Sequence, residues 1–307
     1  MTPRFSARIH CRIAWLLHTV LLLIVCCGVA HAASNPGNTT PQRIVSLAPS
    51  LTELVFALGL GERLVGVTGQ CNFPAEALAL PKVGTFLMPN VETVLALEPD
   101  VVLAMPSPGN RRAVERLGRL GVRLVVVDPQ NVPQLVESFR VVGTALGVRE
   151  RAEKLCRRFV ESLEATQRLV RRAQPRRVLF LVGRNPLIAV GRETIQDEVL
   201  GLAGATNVVR HQGWPKVSVE FVLRENPEVI IDASMGSEAT AGEESAAFWQ
   251  RFSSLQAVKD GRVLVFADDR VLRPGPRLAE AVRALAEHIH PEVFSAKITG
   301  EESTDAR

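Results

Sequence analysis

Two acidic residues occupy equivalent positions in a segment that the chain contains twice. The copies span residues 90–103 and 218–231, and Glu92 in the first aligns with Glu220 in the second. Each acid stands at the predicted start of a helix, where the helix dipole favours a carboxylate, and one such acid is most simply a capping group. Two of them on equivalent lobes would present paired negative charges, which suits docking on basic residues of a two-fold symmetric partner.

An aromatic residue precedes each copy of the repeat. Phe86 lies shortly before the first copy, and Trp214 lies shortly before the second, between Gly213 and Pro215. A tryptophan between glycine and proline in a loop predicts a ring that covers a ligand rather than one that fills the core. The equivalent placement predicts that Phe86 and Trp214 face each other across a cleft. Trp249, in an amphipathic segment, is expected in the core.

Most catalytic and metal-binding patterns are absent from the sequence. There is no G-x-S-x-G elbow, no G-x-x-x-x-G-K phosphate loop and no G-x-G-x-x-G after a strand. Beyond residue 32 the only histidines are His211, His288 and His290, so clustered metal ligands are not predicted. An exported α/β enzyme acting in the cleft and a module used only for protein contacts are the alternatives. The enzyme would need a nucleophile–base pair or a metal site.

The first 32 residues have the layout of a secretory signal peptide. Three arginines precede an apolar run over residues 13–25, and Ala30-His31-Ala32 offers a small-residue cleavage site. The apolar run is shorter than the roughly 20 residues that a transmembrane helix needs. Cys26 and Cys27 end the run, so a lipid-anchored form is the less favoured alternative. We expect an exported, periplasmic protein.

Charge and cysteine content narrow the class of protein further. Without the three leader arginines, the net charge falls from +4 to about +1, so nucleic-acid binding is not predicted. Only two cysteines follow the leader: Cys71, expected in a loop, and Cys156, expected buried on a helix. Two cysteines cannot form a disulfide framework, and whether they pair is left open by the sequence.

Alternating strand and helix patterns divide the chain into two lobes. They fill residues 43–130 and 176–294 and are typical of parallel sheets covered on both faces. Residues 132–173 contain helical patterns alone, and the longer helix could reach roughly 35 Å, so we expect it to connect the lobes. A capping box is predicted at Ser50-Leu51-Thr52-Glu53. Residues 295–307 are expected to form a polar tail.

Three groups of residues resemble the periplasmic substrate-binding proteins of iron-siderophore, haem and cobalamin ABC importers. They are residues 44–53, the pair formed by 90–92 and 97–100, and residues 214–218. The resemblance covers residues 43–288 and is closest to the cobalamin-binding member. It implies a class III periplasmic binding protein: two Rossmann-like α/β lobes with central parallel sheets, joined by one long backbone helix. It also implies a ligand in the cleft, no catalytic residues and no cofactor.

The resemblance also implies roles for particular residues. Family acids at the positions of Glu92 and Glu220 dock onto the two permease subunits of the importer, and aromatic residues at the positions of Phe86 and Trp214 contact the corrinoid. The protein is expected to be a monomer when free. The residues predicted to bind the ligand are Ser50, Gln70, Phe86, Arg184, Trp214 and Arg270.

The chain departs from the cobalamin-binding pattern in three places. Gln70 stands where that member has a tyrosine, Phe86 stands where it has a tryptophan, and Asp268-Asp269-Arg270-Val271 replaces a stretch that contains an aromatic residue. Loss of flat aromatic surface weakens the case for cobalamin itself. Another corrinoid, a haem or a ferric siderophore therefore remains an alternative ligand. An anionic siderophore would want several arginines, for which Arg184, Arg270 and Arg273 are the candidates.

Overall fold

The computed structural model describes residues 40–234, 241–266 and 269–300. The side chains of residues 241–242 and 296–300 are not described. The predicted signal peptide, Cys26, Cys27 and Asp268 lie outside the described residues. The chain divides into two units, Met1–Thr40 and Pro41–Arg307, and the fold below is that of the second unit.

The N-terminal lobe is built on four parallel strands. In sheet order they are β2 (Leu64–Val67), β1 (Ile44–Ser46), β3 (Val101–Ala104) and β4 (Leu124–Val126). Its helices are α1 (Pro49–Ala57), α2 (Val91–Ala96) and α3 (Arg111–Arg119). Successive strand residues such as Ile44 and Val45 pack into hydrophobic clusters on opposite faces, and both are fully buried. Burial of both faces is what helix-flanked parallel sheets require.

Two helices connect the lobes. They are α4 (Val132–Ala145) and α5 (Arg149–Val170). Helix α5 has 22 residues, which corresponds to about 33 Å. The rings of Phe139 on α4 and Phe159 on α5 meet edge to face, with 5.4 Å between their centroids. The predicted helical connector is therefore present as a packed pair of helices.

The C-terminal lobe has a sheet of five strands. They are β5 (Arg176–Arg184), β6 (Leu187–Ala189), β7 (Ala205–Asn207), β8 (Val229–Asp232) and β9 (Val263–Val265). The order is β6-β5-β8-β9, and β7 pairs with the start of β5. Only β6 is antiparallel to β5. The helices are α6 (Ile195–Leu202), α7 (Val219–Glu225), α8 (Ala241–Gln250), α9 (Gln256–Lys259), α10 (Leu278–Ile289) and α11 (Pro291–Gly300).

Three details of this lobe differ from the sequence-based expectation. The short strands β6 and β7 have too few residues to show a period of two, and they were not anticipated. Residues 248–258, for which the amphipathic pattern around Trp249 predicts one helix, contain the end of α8, a turn and α9. Helix α11 continues to Gly300, inside the stretch 295–307 that was expected to be a polar tail.

One hydrophobic cluster runs through both lobes and the connector. Its buried members include Ile44, Val101, Phe139, Phe159, Val178, Val229 and Leu285. Leu285 lies on α10 of the C-terminal lobe, and α10 packs along α5. Because the lobes share this core, they are held together by packed helices rather than by a flexible linker.

Cys71 and Cys156 are both buried and free. Cys71 lies in the loop after β2, as expected, and the hydroxyl of Thr52 donates to its sulfur at 3.1 Å. Cys156 lies on α5, also as expected, and its thiol donates to the carbonyl of Val136 at 3.4 Å. The question of pairing is thus answered: the two thiols do not form a disulfide.

Candidate ligand cleft and docking surface

Residues that follow the carboxyl ends of strands in the two lobes contact each other. Glu53 on α1 and Asn72 after β2 belong to the N-terminal lobe, and both hydrogen-bond to arginines that follow β9 in the C-terminal lobe. In open α/β sheets, ligands bind beside the carboxyl ends of the strands. This junction therefore marks the floor of the candidate cleft.

A buried ion-pair network joins the lobes at this junction. Arg277 contacts the Glu53 carboxylate through two bonds, Nε to Oε2 at 2.8 Å and Nη2 to Oε1 at 2.6 Å. Arg273 lies 3.4 Å from the same carboxylate and donates to Asn72 Oδ1 at 2.7 Å. Asp269 pairs with both arginines. We call these five residues the cross-lobe cluster; the Glu53 side chain in it is 3% exposed.

The predicted capping box at Ser50 and Glu53 is wrong. Helix α1 begins at Pro49, and its cap residue Ala48 makes no side-chain capping bond. Proline fits the first turn because it lacks the amide hydrogen that would need a partner there. The Glu53 carboxylate is instead bound by Arg277. Ser50 is buried and packs closely against Gly275 of the other lobe. A Cβ added to Gly275 would lie only 3.1 Å from the Cβ of Ser50.

Gln70 and Phe86 lie together on the rim of the N-terminal lobe. The side-chain oxygen of Gln70 accepts from the Phe86 amide at 2.9 Å, and its backbone carbonyl accepts from Arg273 at 3.0 Å. The buried amide of Asn110 donates to the Phe86 carbonyl at 3.0 Å. Phe86 itself is half-buried. The structure thus groups Ser50, Gln70 and Phe86 around the cross-lobe cluster.

Sequence reasoning missed part of this site. Phe73 is 44% exposed, and its ring centroid lies 3.8 Å from the guanidinium carbon of Arg277, a cation–π geometry. The available signal was the segment Arg273-Pro-Gly-Pro-Arg277, in which two prolines stiffen the chain between two arginines. The partner of Arg277, Glu53, could not be chosen from the sequence among the other acids.

Arg184 belongs to a second cluster in the C-terminal lobe. It ends β5, and its Nε lies 3.8 Å from Oδ2 of Asp232, while Nη2 lies 3.4 Å from Glu244. The buried Asp232 carboxylate also accepts from Ser245 at 2.6 Å and from the Trp249 indole at 3.0 Å. Trp249 is 2% exposed, so its expected place in the core is confirmed.

Arg270 is also paired. Its Nη1 lies 3.1 Å from the Glu280 carboxylate on α10. Of the predicted ligand residues, Arg184 and Arg270 therefore each lie in an ion pair with a carboxylate of the C-terminal lobe.

Trp214 lies on a loop held by backbone hydrogen bonds, with its side chain partly exposed. The amide of Ala189 donates to the Pro215 carbonyl at 3.0 Å, and the amides of Gly191 and Gly213 form further bonds between the two segments. Gly213 has φ +68°, a conformation that favours glycine. The side chain is 48% exposed. Within the described residues, Trp214 forms no ring pair with Phe86.

The two repeat acids lie at equivalent helix starts, as expected. Asn90 caps α2 by accepting from the Thr93 amide at 2.9 Å, and Ser218 caps α7 by accepting from the Phe221 amide at 3.2 Å. Glu92 and Glu220 follow two residues after these caps and are exposed. The pKa of Glu220 is lowered, first by the Ser218 hydroxyl and then by its own amide.

The far ends of the repeats match as well. Glu98 and Asn226, which precede the aligned prolines, have φ +44° and +42°. Arg43 before β1 donates to the Leu97 carbonyl at 2.6 Å. Its counterpart Arg177, the second residue of β5, likewise donates to the Glu225 carbonyl at the end of α7, at 2.8 Å. The sequence repeat therefore corresponds to a repeated helix. In both lobes its start is capped by a side chain and its last carbonyls accept from an arginine.

The described residues contain neither a cluster of metal ligands nor a membrane-spanning helix. No group of three His, Cys, Asp or Glu side chains in the described ranges is arranged to hold a metal ion. None of the described helices is long and apolar enough to cross a membrane.

Comparison with known protein families defines the class. A family model described as periplasmic binding protein matches residues 44–269. The chain belongs to this family, and its two lobes and helical connector are those of a class III periplasmic binding protein, as predicted. Members of the family are substrate-binding proteins that deliver small molecules to ABC importers.

Curated relatives resemble the chain over most of its length. The ABC transporter substrate-binding lipoprotein YvrC of Bacillus subtilis is 34% identical over 262 residues, which cover 83% of this chain and 82% of the relative. The vitamin B12-binding protein of Pectobacterium atrosepticum is 31% identical over 284 residues, covering 90% and 94%.

Solved structures give the same fold. The vitamin B12 binding protein BtuF of Vibrio cholerae superposes with a TM-score of 0.72 and 28% identity, covering 82% of this chain and 98% of its own. A periplasmic heme binding protein from Pseudomonas aeruginosa superposes with a TM-score of 0.72 and 30% identity, covering 82% and 93%. The fold is thus shared by binders of more than one metal chelate.

Proposed function

We propose that the protein captures an uncharged corrinoid, cobalamin or a close relative, in the cleft and delivers it to an ABC permease. Export to the periplasm is directed by residues 1–32, and Glu92 and Glu220 provide the contacts to the permease. The relatives named for vitamin B12 support the ligand class. The main structural support for an uncharged ligand is that the arginines proposed to bind it are paired with carboxylates.

The three arginines that suited an anionic ligand are already paired with carboxylates. Arg184 lies beside Asp232 and Glu244, Arg270 beside Glu280, and Arg273 beside Asp269 and Glu53. None of these nitrogen–oxygen distances is longer than 3.8 Å. A ligand with several negative charges would have to displace these carboxylates or bind beside them, and both cost free energy.

An uncharged ligand rich in amide groups meets no such obstacle. Amides hydrogen-bond to paired arginines and carboxylates without breaking the ion pairs. The exposed rings of Trp214 and Phe73 offer flat apolar surface for a macrocycle. Phe73 thereby supplies aromatic surface near Gln70, where the resembling binders have a tyrosine.

Haem is the second candidate, favoured by one residue. His211 is exposed and lies three residues before Trp214, and an imidazole is a common axial ligand of haem iron. The haem propionates, however, are anions that would need free cations. A ferric siderophore with several negative charges has the same difficulty and no favouring residue.

Titration of the mature protein separates these ligands. Purified protein beginning at residue 33 is mixed with cyanocobalamin, haemin or a ferric catecholate siderophore while tryptophan fluorescence and calorimetric heat are followed. We expect saturable binding of cyanocobalamin, with a dissociation constant of about 1 μM or lower, and none for the siderophore. If haemin binds with a Soret shift that depends on His211 and cyanocobalamin gives no response, the ligand is haem and not a corrinoid. Silence with all three would refute both.

A further inference from the structure

The two repeat acids have the same backbone setting but different neighbours. Glu92 and Glu220 each follow a side-chain cap by two residues, on α2 and α7 respectively. In the N-terminal lobe, Nη2 of Arg116 on α3 lies 2.9 Å from Oε1 of Glu92. Both side chains of this pair are more than half exposed, at 54% and 68%. The acid is therefore partly neutralised in the free protein.

Glu220 has no such neighbour. Among the described residues, no lysine, arginine or histidine lies within ion-pair distance of its carboxylate. The nearest arginine on the same helix, Arg224, pairs with Glu225 at 3.5 Å and lies over the Phe221 ring. The lowered pKa of Glu220 comes from its cap and its own amide, whereas the Arg116 charge contributes to the lowered pKa of Glu92 after the backbone bond. Both carboxylates are ionised at neutral pH, but only Glu220 is uncompensated.

The surface beside Glu92 carries further positive charge. Arg112, Arg116 and Arg119 have the spacing of one face of α3, and all three are exposed. In the described part of the chain, Arg112 and Arg119 have no carboxylate within ion-pair distance. A partner that presents cations is attracted to Glu220, whereas at Glu92 it meets this positive stripe and must displace Arg116 to reach the carboxylate.

We propose that Arg116 competes with the permease for Glu92, so that docking begins at Glu220 and the N-terminal lobe engages second. This inference rests on the proposed docking role of the two acids and goes beyond it by making the two contacts unequal. Arg116 acts as a specificity-determining residue that weakens the N-terminal contact. An exposed ion pair of this kind changes an affinity by up to about fivefold.

Binding to the permease complex tests this competition. The probe is the ABC permease complex from the same organism in lipid nanodiscs, and dissociation constants are measured by biolayer interferometry. Arg116→Gln is expected to tighten binding about two- to fivefold. Arg112→Gln is the matched control, since it removes the same charge from the same helix face without breaking a pair. Equal tightening by both variants would show a long-range charge effect and would overturn the competition.

Substitutions of the acids separate this inference from the docking role itself. Glu220→Gln is expected to weaken binding about tenfold, and Glu92→Gln less. In the Arg116→Gln background, the loss caused by Glu92→Gln should grow, because the acid is then free for the permease. If neither acid affects binding, the docking proposal and this inference both fail. If the acids matter and Arg116→Gln leaves binding unchanged or weaker, only the competition is refuted.

Discussion

Trp214 and Phe73 leave almost half of their side chains exposed, at 48% and 44%. Neither ring is loosely placed, because Trp214 stands on a hydrogen-bonded loop and Phe73 is stacked against Arg277. A rigid exposed ring loses little conformational freedom when a ligand covers it. At the level of single residues, these two rings are the strongest candidates for contact with a macrocycle.

Removal of the Trp214 ring should reveal its contribution. We expect Trp214→Ala to weaken cyanocobalamin binding about tenfold or more. A tryptophan that becomes buried at the centre of an interface when the ligand binds is a typical source of binding energy. Trp214→Phe, which keeps a flat ring, should retain most of the affinity in calorimetry. Fluorescence gives an internal reference, since buried Trp249 remains in both variants. Unchanged affinity of Trp214→Ala would remove this residue from the site.

The connector α5 shows how a whole helix is fixed by one buried stripe. Cys156, Phe159 and Leu163 are spaced at three and four residues and are at most 5% exposed, while arginines and glutamates occupy most of the exposed positions. Burial is the main reason that the pKa of the Cys156 thiol is raised. The thiol is therefore an inert part of the helix packing and not a reactive group.

Thiol labelling tests the packing of this helix. In a Cys71→Ala variant, Cys156 is expected to react with a maleimide much more slowly in the folded protein than in concentrated guanidinium. Because its pKa is raised on folding, the native state holds the proton more tightly. The stability that the protonated Cys156 thiol contributes is fully present below the thiol pKa of the unfolded chain. It is lost as the pH rises through the higher thiol pKa of the folded protein. Rapid labelling of the folded protein near neutral pH would contradict the burial of α5.

At the scale of the whole molecule, two features join the lobes. One is the shared hydrophobic cluster that includes the connector and α10, and the other is the cross-lobe cluster at the cleft floor. Glu53 and Arg277 are 224 residues apart in the sequence, and their side chains are 3% and 15% exposed. Loss of one partner from such a pair leaves a charge that water reaches poorly, which is costly.

Glu53→Gln should therefore destabilise the whole protein. We expect a loss of about 3 kcal/mol in the free energy of unfolding, measured by urea denaturation. Glu280→Gln, which breaks the exposed pair with Arg270, is the control and should cost about 1 kcal/mol or less. A Glu53→Gln variant as stable as the control would mean that the cross-lobe cluster does not hold the lobes together.

The sequence by itself determined the lobes, the helical connector and the two acids at helix starts. These features depend on local causes: the period of apolar residues, the caps at Asn90 and Ser218, and the turn before each aligned proline. Such causes act within a few residues, so they can be predicted from the local sequence. The repeat was visible for the same reason.

Only the tertiary structure decided which charged groups meet. The capping box at Ser50 was wrong because the Glu53 carboxylate is bound by Arg277, a residue from the other end of the chain. The pairing of Glu92 with Arg116 and the neutralisation of Arg184 by Asp232 likewise depend on how separate elements pack. A long charged side chain can reach many partners, and local sequence does not rank them. The fold selects one partner by bringing it within ion-pair distance, and the interaction is stronger where water is excluded, as at Glu53.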